Sequence, residues 1–376
     1  MTRTRAAAVV GASVNAIDTP ALVIDLDAMQ RNLVAMARFA REHRVLLRPH
    51  AKMHKSAAIA KMQMAAGAVG VCVQKLSEAE ALADAGVSDI FISNEVIAPH
   101  KLARLAQLGQ RITLAVAVDS SVGIERLADA LKAVGSSVNV FVEIDVGQGR
   151  CGVAPTAAGA LAHQVVSHGL RFGGLQAYNG RAQHLRGATE REAAVRHSVA
   201  LARAAQASVT AAGMVCPLVT GAGTGTFGFD AESGLYGELQ AGSYLFMDRD
   251  YAANEWSART PRFEHALFVK SQVMSRGSSH AVVDAGHKSH AIDSGLPAVW
   301  QRELEYSNGG DEHGILRPNA TATLTELPRL GDAVWLVPGH CDPTVNLHDH
   351  FVGVRGGLAS GVVEAIWPID SRGCLV

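Results

Sequence analysis

A lysine flanked by cations is the most reactive grouping in this chain. Arg48-Pro49-His50-Ala51-Lys52-Met53-His54-Lys55 follows a short apolar run, Val45-Leu46-Leu47, that reads as a buried strand. Pro49 cannot donate to a sheet ladder, so the strand is expected to end there. Lys52 then sits just past a strand's C-terminal end, where α/β folds place their chemistry. An amine there can form a Schiff base if burial or neighbouring cations lower its pKa. The local sequence reads equally well as a basic loop that binds a phosphate or faces solvent.

Three further stretches carry usable groups. In Gly221-Ala222-Gly223-Thr224-Gly225-Thr226 the glycines allow close backbone approach and the threonines offer hydroxyls to an anion. Taken alone, such a loop is explained by a tight turn. Ala241-Gly242-Ser243-Tyr244 could complete a phosphate cradle. Gln148-Gly149-Arg150-Cys151-Gly152 follows Glu143 and Asp145, so Arg150 could bind a cofactor or a substrate carboxylate, or pair structurally with Asp145. Gln176-Ala177-Tyr178-Asn179-Gly180 and Gln183-His184 end another strand. There Tyr178 could pack on a cofactor and His184 could act as a base, or be polar surface. Farther on lies Pro338-Gly339-His340-Cys341-Asp342-Pro343-Thr344. Alternation in an extended segment would point His340 and Asp342 to one side and Cys341 to the other. One imidazole and one carboxylate, with water, can hold a divalent ion. A hydrogen-bonded pair in a turn is the alternative.

The elements that must position these groups alternate in type. Ala21–Leu26 reads as a first strand, and Asp27 is expected to cap a helix over 28–43 with Leu33, Met36, Ala37 and Ala40 on one face. After Lys52, strands at 68–73, 89–93, 112–118, 138–145, 172–177 and 218–220 alternate with helical stretches, and 236–246 supplies an eighth element. That pattern predicts right-handed βαβ units closing into a (β/α)8 TIM-type barrel. In a closed barrel the eighth strand neighbours the one before Lys52, so the glycine loop and Lys52 would fall within one cofactor's length. Beyond about 260 the helical pattern stops. Short strands are expected at 266–274, 280–284, 321–326, 333–338, 350–354 and 361–367, forming a C-terminal β domain. The expected division is 18–260 for the barrel and 261–376, joined by strand 21–26, for the β domain.

Composition excludes several classes. A net charge of −1 gives no electrostatic case for nucleic acid or anionic membrane, and no apolar run approaches a membrane span. Five scattered cysteines without a CxxC indicate neither a disulfide framework nor a zinc knuckle, so a cytoplasmic setting is expected. The first 17 residues are expected to be a frayed terminus rather than a targeting segment.

Taken together, the motifs resemble those of the D-threonine aldolase and D-3-hydroxyaspartate aldolase group of fold-type III, alanine-racemase-like pyridoxal phosphate enzymes. The resemblance runs over most of the chain. It includes Asp18-Thr19-Pro20, Arg48 to Lys52, Gly147 to Val153, Gly223-Thr224-Gly225, Glu238 to Tyr244, Asp311-Glu312-His313-Gly314 and His340-x-Asp342-Pro343-Thr344. It implies an alanine-racemase-like barrel, a homodimer and a small D-β-hydroxy-α-amino acid as substrate, cleaved to glycine and an aldehyde. It makes Lys52 the Schiff-base lysine and puts Arg150, Tyr178, Gly223, Thr224, Gly225, Gly242, Ser243 and Tyr244 around pyridoxal 5'-phosphate. It puts a divalent metal on His340 and Asp342, and His184 near the substrate hydroxyl. Ile292 to Pro297 and Pro338 to Asp342 look more like the hydroxyaspartate aldolases. The related D-serine and D-threo-hydroxyaspartate dehydratases typically carry His-x-Cys. Asp342 in the second place favours the aldolase, and manganese or magnesium over zinc. A cofactor-binding barrel without turnover is a third reading; the β domain and its His–Asp pair argue against it.

Overall fold

β1 (Ala21–Asp25) runs straight into a helix over Leu26–Glu42. Asp25, not the expected Asp27, caps that helix by accepting from Asp27 N at 3.0 Å and Ala28 N at 3.1 Å. Asp27 lies in the first turn and instead accepts from Arg355 Nη1 and Gly356 N. The helix buries Leu33, Met36, Ala37 and Ala40, as the spacing requires. The computed structural model describes residues 6–320 and 326–376.

Eight parallel strands follow: β2 (Leu46–Leu47), β3 (Val71–Val73), β4 (Asp89–Glu95), β5 (Thr113–Val118), β6 (Asn139–Glu143), β7 (Arg171–Ala177), β8 (Val219–Gly221) and β9 (Glu238–Leu239). They pair in chain order from β3 to β9, and β9 pairs with β2. The ring closes where His50 bridges Cys72, with Val69 N donating to Leu47 O and Cys72 N to Pro49 O, both at 2.9 Å. The (β/α)8 architecture is therefore present. Strand alternation sorts the core. Cys72, Phe91, Ala115, Ala117 and Phe141 cluster together, while Ile90, Ile92, Val116, Val140 and Val142 pack in the large cluster shared with the helices. Gly173 admits the Phe141 ring, since a Cβ there would come within 2.6 Å of it.

The second sheet is built from β10 (Leu267–Arg276), β11 (Ala281–Val283), β12 (Ala298–Val299), β13 (Leu304–Asn308), β14 (Gly314–Pro318), β15 (Ala333–Val337), β16 (His350–Arg355) and β17 (Val362–Pro368). β1 lies inside it, antiparallel to β10 and parallel to β16. The sequence reading passed over β12, β13 and β14. Each is short, and only Leu304, Tyr306, Gly314 and Leu316 of the latter two face inward. The strand expected over 321–326 falls almost wholly outside the described residues. The expectation of a frayed start does not hold from residue 11 onward. Gly11 N and Val14 N donate to Val363 O and Gly361 O, and Val14 and Ile17 are buried against β1 and β17. No helix among the described residues is long and apolar enough to cross a membrane.

Candidate active site

A cavity of about 270 Å³ opens at the C-terminal ends of the barrel strands. Every barrel strand but β5 contributes to its lining. His50, Lys52 and Met53 follow β2, and Gln74 follows β3. Ser93 belongs to β4, and Arg150 follows β6. Gln176 and Tyr178 come from β7, Ala222, Gly223 and Thr224 from β8, and Gln240, Gly242 and Ser243 from β9. Two residues come from outside the strands, Tyr251 and, from the second sheet's connections, Asp342.

Lys52 lies in a single 3-10 turn, Ala51–Met53, capped by His50. Its loop is braced from behind. Ser371 N donates to Lys55 O, and Asp370 Oδ2 accepts from Ala57 N at 2.7 Å. The Lys55 ammonium is buried in an ion pair with Glu78 at 2.6 Å. Lys52 Nζ itself pairs with Asp342 Oδ1. This reverses one expectation. Burial pushes the ammonium's pKa down, but Asp342 more than offsets it, so the pKa is raised and not lowered. The same contact and His340 hold the Asp342 carboxyl far below the usual carboxylate range, although burial alone would raise it. His50 stays neutral, because burial and then Lys52 depress its pKa; its Nε2 lies 3.0 Å from Gln74 Nε2 and 3.3 Å from Ser93 Oγ.

Beneath the cavity a polar layer replaces the apolar one. Gln176 and Gln240 exchange amide hydrogen bonds, Gln240 also donates to Thr220, and Thr220 donates to Glu238. Arg48 binds Glu238 at 2.9 Å and Asp89 at 2.5 Å. Arg48, singled out as part of a basic loop, thus points into the barrel and balances the buried Glu238 and the half-buried Asp89.

The glycine-rich end is split. Gly223, Thr224, Gly242 and Ser243 line the cavity, and Thr224 Oγ1 accepts from Tyr244 N at 3.0 Å, tying the two loops together. Gly242 needs its missing side chain, because a Cβ would lie 2.6 Å from His50 O. Gly225 and Tyr244 lie behind this wall. The N–H of Gly225 is taken by Gln183 Oε1, and the Tyr244 ring is buried with its hydroxyl accepting from Gln63. Thr226 is likewise internal, donating to Asp230. A local window cannot show which of three alternating glycines faces the cavity.

Arg150 lies with its Cζ 5.7 Å from the Tyr178 ring centroid. The carboxylate nearest it is Glu143, at 3.7 Å, not Asp145. Asp145 is occupied by Gly147 N and Gly149 N. His184 does not line the cavity. It packs beside Tyr251, which does, with ring centroids 5.1 Å apart, and its Nδ1 is 2.5 Å from Asp250 Oδ2. Arg186 holds the other oxygen of Asp250.

His340 and Asp342 do meet, but not through extended alternation. His340 is the extended N-cap of a helical turn, Cys341–Val345, and the chain's change of direction brings its Nε2 to 3.5 Å from Asp342 Oδ2. Its Nδ1 is held by Asp293 at 2.7 Å. Burial lowers the imidazole's pKa, yet the two carboxylates outweigh it and push it up to about 9. Cys341 turns away, its thiol donating to Met247 O. Among the described residues no group of three His, Cys, Asp or Glu side chains is placed to hold an ion.

Sequence reasoning assigned no role to Gln74, Ser93, Gln240 and Tyr251 in the lining, nor to Asp250 and Asp293 as the partners of the two histidines. Gln74 and Ser93 carried a usable signal, since both stand at the C-terminal ends of barrel strands.

Comparison with known proteins agrees with this geometry. Residues 24–250 match the alanine racemase N-terminal domain, and residues 266–354 match a putative serine dehydratase domain. The chain is 46% identical to a D-threonine aldolase from Arthrobacter sp, over 95% of this chain and 93% of the relative. It is 42% identical to a 3-hydroxy-D-aspartate aldolase from Paracoccus denitrificans (strain Pd 1222), over 95% and 92%. The crystal structure of D-threonine aldolase from Filomicrobium marinum superimposes with a TM-score of 0.95 at 48% identity, covering 99% of this chain and 100% of that one.

Proposed function

The chain belongs to the D-threonine aldolase and D-3-hydroxyaspartate aldolase group of alanine-racemase-like enzymes, and from that membership we propose that it is a carbon–carbon lyase that splits D-β-hydroxy-α-amino acids of the threonine type into glycine and an aldehyde. The observation that carries this reading is the meeting of Lys52 and Asp342 in one cavity across 290 positions of sequence. A barrel that merely stored a cofactor would need no carboxylate from the second sheet beside its lysine.

Membership in the group implies pyridoxal phosphate, and the residues fit it. The cavity offers one amine, Lys52, a wall stripped of side chains at Gly223 and Gly242, and hydroxyls on Thr224 and Ser243. Lys52 would hold the carbonyl carbon, the β8 and β9 loops the phosphate, and Arg150 and Tyr178 the ring. Once bound, the cofactor supplies an electron sink for the charge left on Cα. A divalent ion fits His340 and Asp342, because Asp342 Oδ2 is buried and accepts no hydrogen bond while His340 is oriented from behind by Asp293. The carboxylate favours manganese or magnesium, and the charge would offset that growing on the β-oxygen. His184, which sits beside the lining residue Tyr251, would take the proton of a β-hydroxyl at Nε2, since Asp250 occupies Nδ1. Residues 18–260 form the cofactor-binding unit in this reading, and 261–376 with strand 21–26 the unit that brings the metal pair. The working form proposed is a cytoplasmic homodimer.

Product analysis tests the reading. D-Threonine should yield glycine and acetaldehyde. A keto acid with ammonia would make the protein a dehydratase, and absence of product would leave only a binding role. Cα would be fixed through the cofactor linkage and the substrate carboxylate, and Cβ mainly through one hydroxyl, so D-threonine and D-allo-threonine should both react. Equal glycine yields from L- and D-threonine would overturn the assignment.

A further inference from the structure

Asp248 stands where two turns from different sheets face each other. It is fully buried, and each of its oxygens serves a different turn. Oδ1 accepts from Tyr251 N at 2.9 Å, capping the short helix Arg249–Ala252. Oδ2 accepts from Cys341 N at 3.0 Å, at the first position of the helical turn Cys341–Val345. Two backbone bonds beside it run the opposite way, Arg249 N donating to Pro338 O at 3.0 Å and Asp250 N to Gly339 O at 3.2 Å. The helix on one side carries Asp250, which holds His184, and Tyr251, which lines the cavity. The turn on the other side carries Asp342, directly after the residue that Asp248 grips.

We propose that Asp248 is a positioning residue that sets the His340–Asp342 pair against the Lys52 cavity. The physical case rests on where the chain turns. His340 is extended, with φ −143° and ψ 127°, and Asp342 is already helical. Their side chains converge only if the turn between them occurs at Cys341, and the bond from Cys341 N fixes the chain at that residue. A carboxylate accepting two backbone N–H groups makes stronger bonds than a neutral acceptor. The same carboxylate orients the helix that presents Asp250 to His184. Asp248 thereby ties together the two groups that would act on the substrate's hydroxyl, without touching the substrate. The proposal rests on reading His340 and Asp342 as an ion-holding pair.

The test measures Mn²⁺ affinity by the free-ion electron paramagnetic resonance signal on purified holoenzyme, with pyridoxal phosphate affinity measured in parallel. Asp248→Asn keeps the volume but turns an amide N–H against one of the two donors. Cys341→Pro removes the gripped N–H while keeping the buried acid. Proline suits this first helical position, and the extended His340 before it suits proline. Each variant should bind Mn²⁺ about 10–100-fold more weakly, as for other outer-sphere partners, with pyridoxal phosphate affinity unchanged. The loss in the double variant should exceed that of Cys341→Pro by no more than Asp248→Asn costs at Tyr251 N, because the bond from Cys341 N can be lost only once. Wild-type Mn²⁺ affinity in both variants, or a parallel loss of manganese and pyridoxal phosphate, would overturn the proposal. If Asp248→Asn does not fold, Cys341→Pro decides alone. Asp342→Ala separates the two levels. If it binds Mn²⁺ as well as wild type, the ion-pair reading itself fails. If it loses Mn²⁺ while the Asp248 and Cys341 variants keep it, only the positioning role fails.

Discussion

The cavity has two unlike walls. The barrel wall is assembled from the ends of seven of the eight strands, each fixed by the strand hydrogen bonds of its neighbours. The opposite wall is one turn bearing Asp342, reached from the second sheet and held by Asp248, two flanking backbone bonds and the ion pair with Lys52. The difference teaches that cofactor and metal chemistry should fail separately. Many contacts share the placement of the first wall, so a single side chain there matters mainly for what it does. On the second wall a few contacts, the bond from Cys341 N to Asp248 among them, also hold the wall in place.

The largest expected effect sharpens the first wall. Lys52→Ala should remove all turnover, and borohydride reduction with peptide mapping should place the trapped cofactor on Lys52 in wild type. A label on Lys55, which is paired with Glu78, or on Lys288 would break the assignment. Next comes the second wall. Asp342→Ala or chelation should lower kcat on the order of 100-fold, the scale of losing one electrostatic stabiliser, while cofactor content is retained. Added manganese should rescue the chelated wild type at least as well as zinc, and should not rescue Asp342→Ala. Loss of cofactor together with metal would show that the two walls are not independent.

A smaller effect is confined to the barrel wall. Burial pushes the Asp230 carboxyl up to about 7, against the hydrogen bond from Thr226, which lowers it. The folded state therefore keeps a proton that the unfolded state has lost from about pH 4 upward. Asp230 then takes away about 1.4 kcal/mol of stability per pH unit as pH rises toward 7, and its cost stays constant above that. Asp230→Asn should remove this slope. The thermal midpoint of wild type should fall relative to the variant between pH 5 and pH 7.5; parallel curves would refute the assignment. The smallest effect is Cys341→Ser. Its hydroxyl can donate to Met247 O in place of the thiol, so Mn²⁺ binding should be unchanged and stability altered by only about 1 kcal/mol. Metal loss in Cys341→Ser with retention in Asp342→Ala would exchange their roles and point toward a zinc dehydratase.

The amino-acid sequence by itself determined the barrel, the lysine that follows its first strand and the glycine loop after its seventh. These are local properties: apolar runs of strand length, Pro49 as a stop, and glycines where the backbone needs room. It also brought the β8 and β9 loops near Lys52, because closure of a parallel barrel makes its last strand the neighbour of its first. Only the tertiary structure decided which groups face the cavity. Gly225 loses its N–H to Gln183, 42 positions away, and Arg48 turns inward to Glu238, 190 positions away. Asp342 reaches Lys52 across 290 positions, and that contact raises the lysine's pKa where the local cations alone suggested a fall. Periodicity reports on neighbours within a few residues. The orientation of a turn is set by hydrogen bonds to whatever packs against it, and here the deciding partners, Asp248, Asp250 and Asp293, lie on segments whose own local sequence carries no sign of what they face.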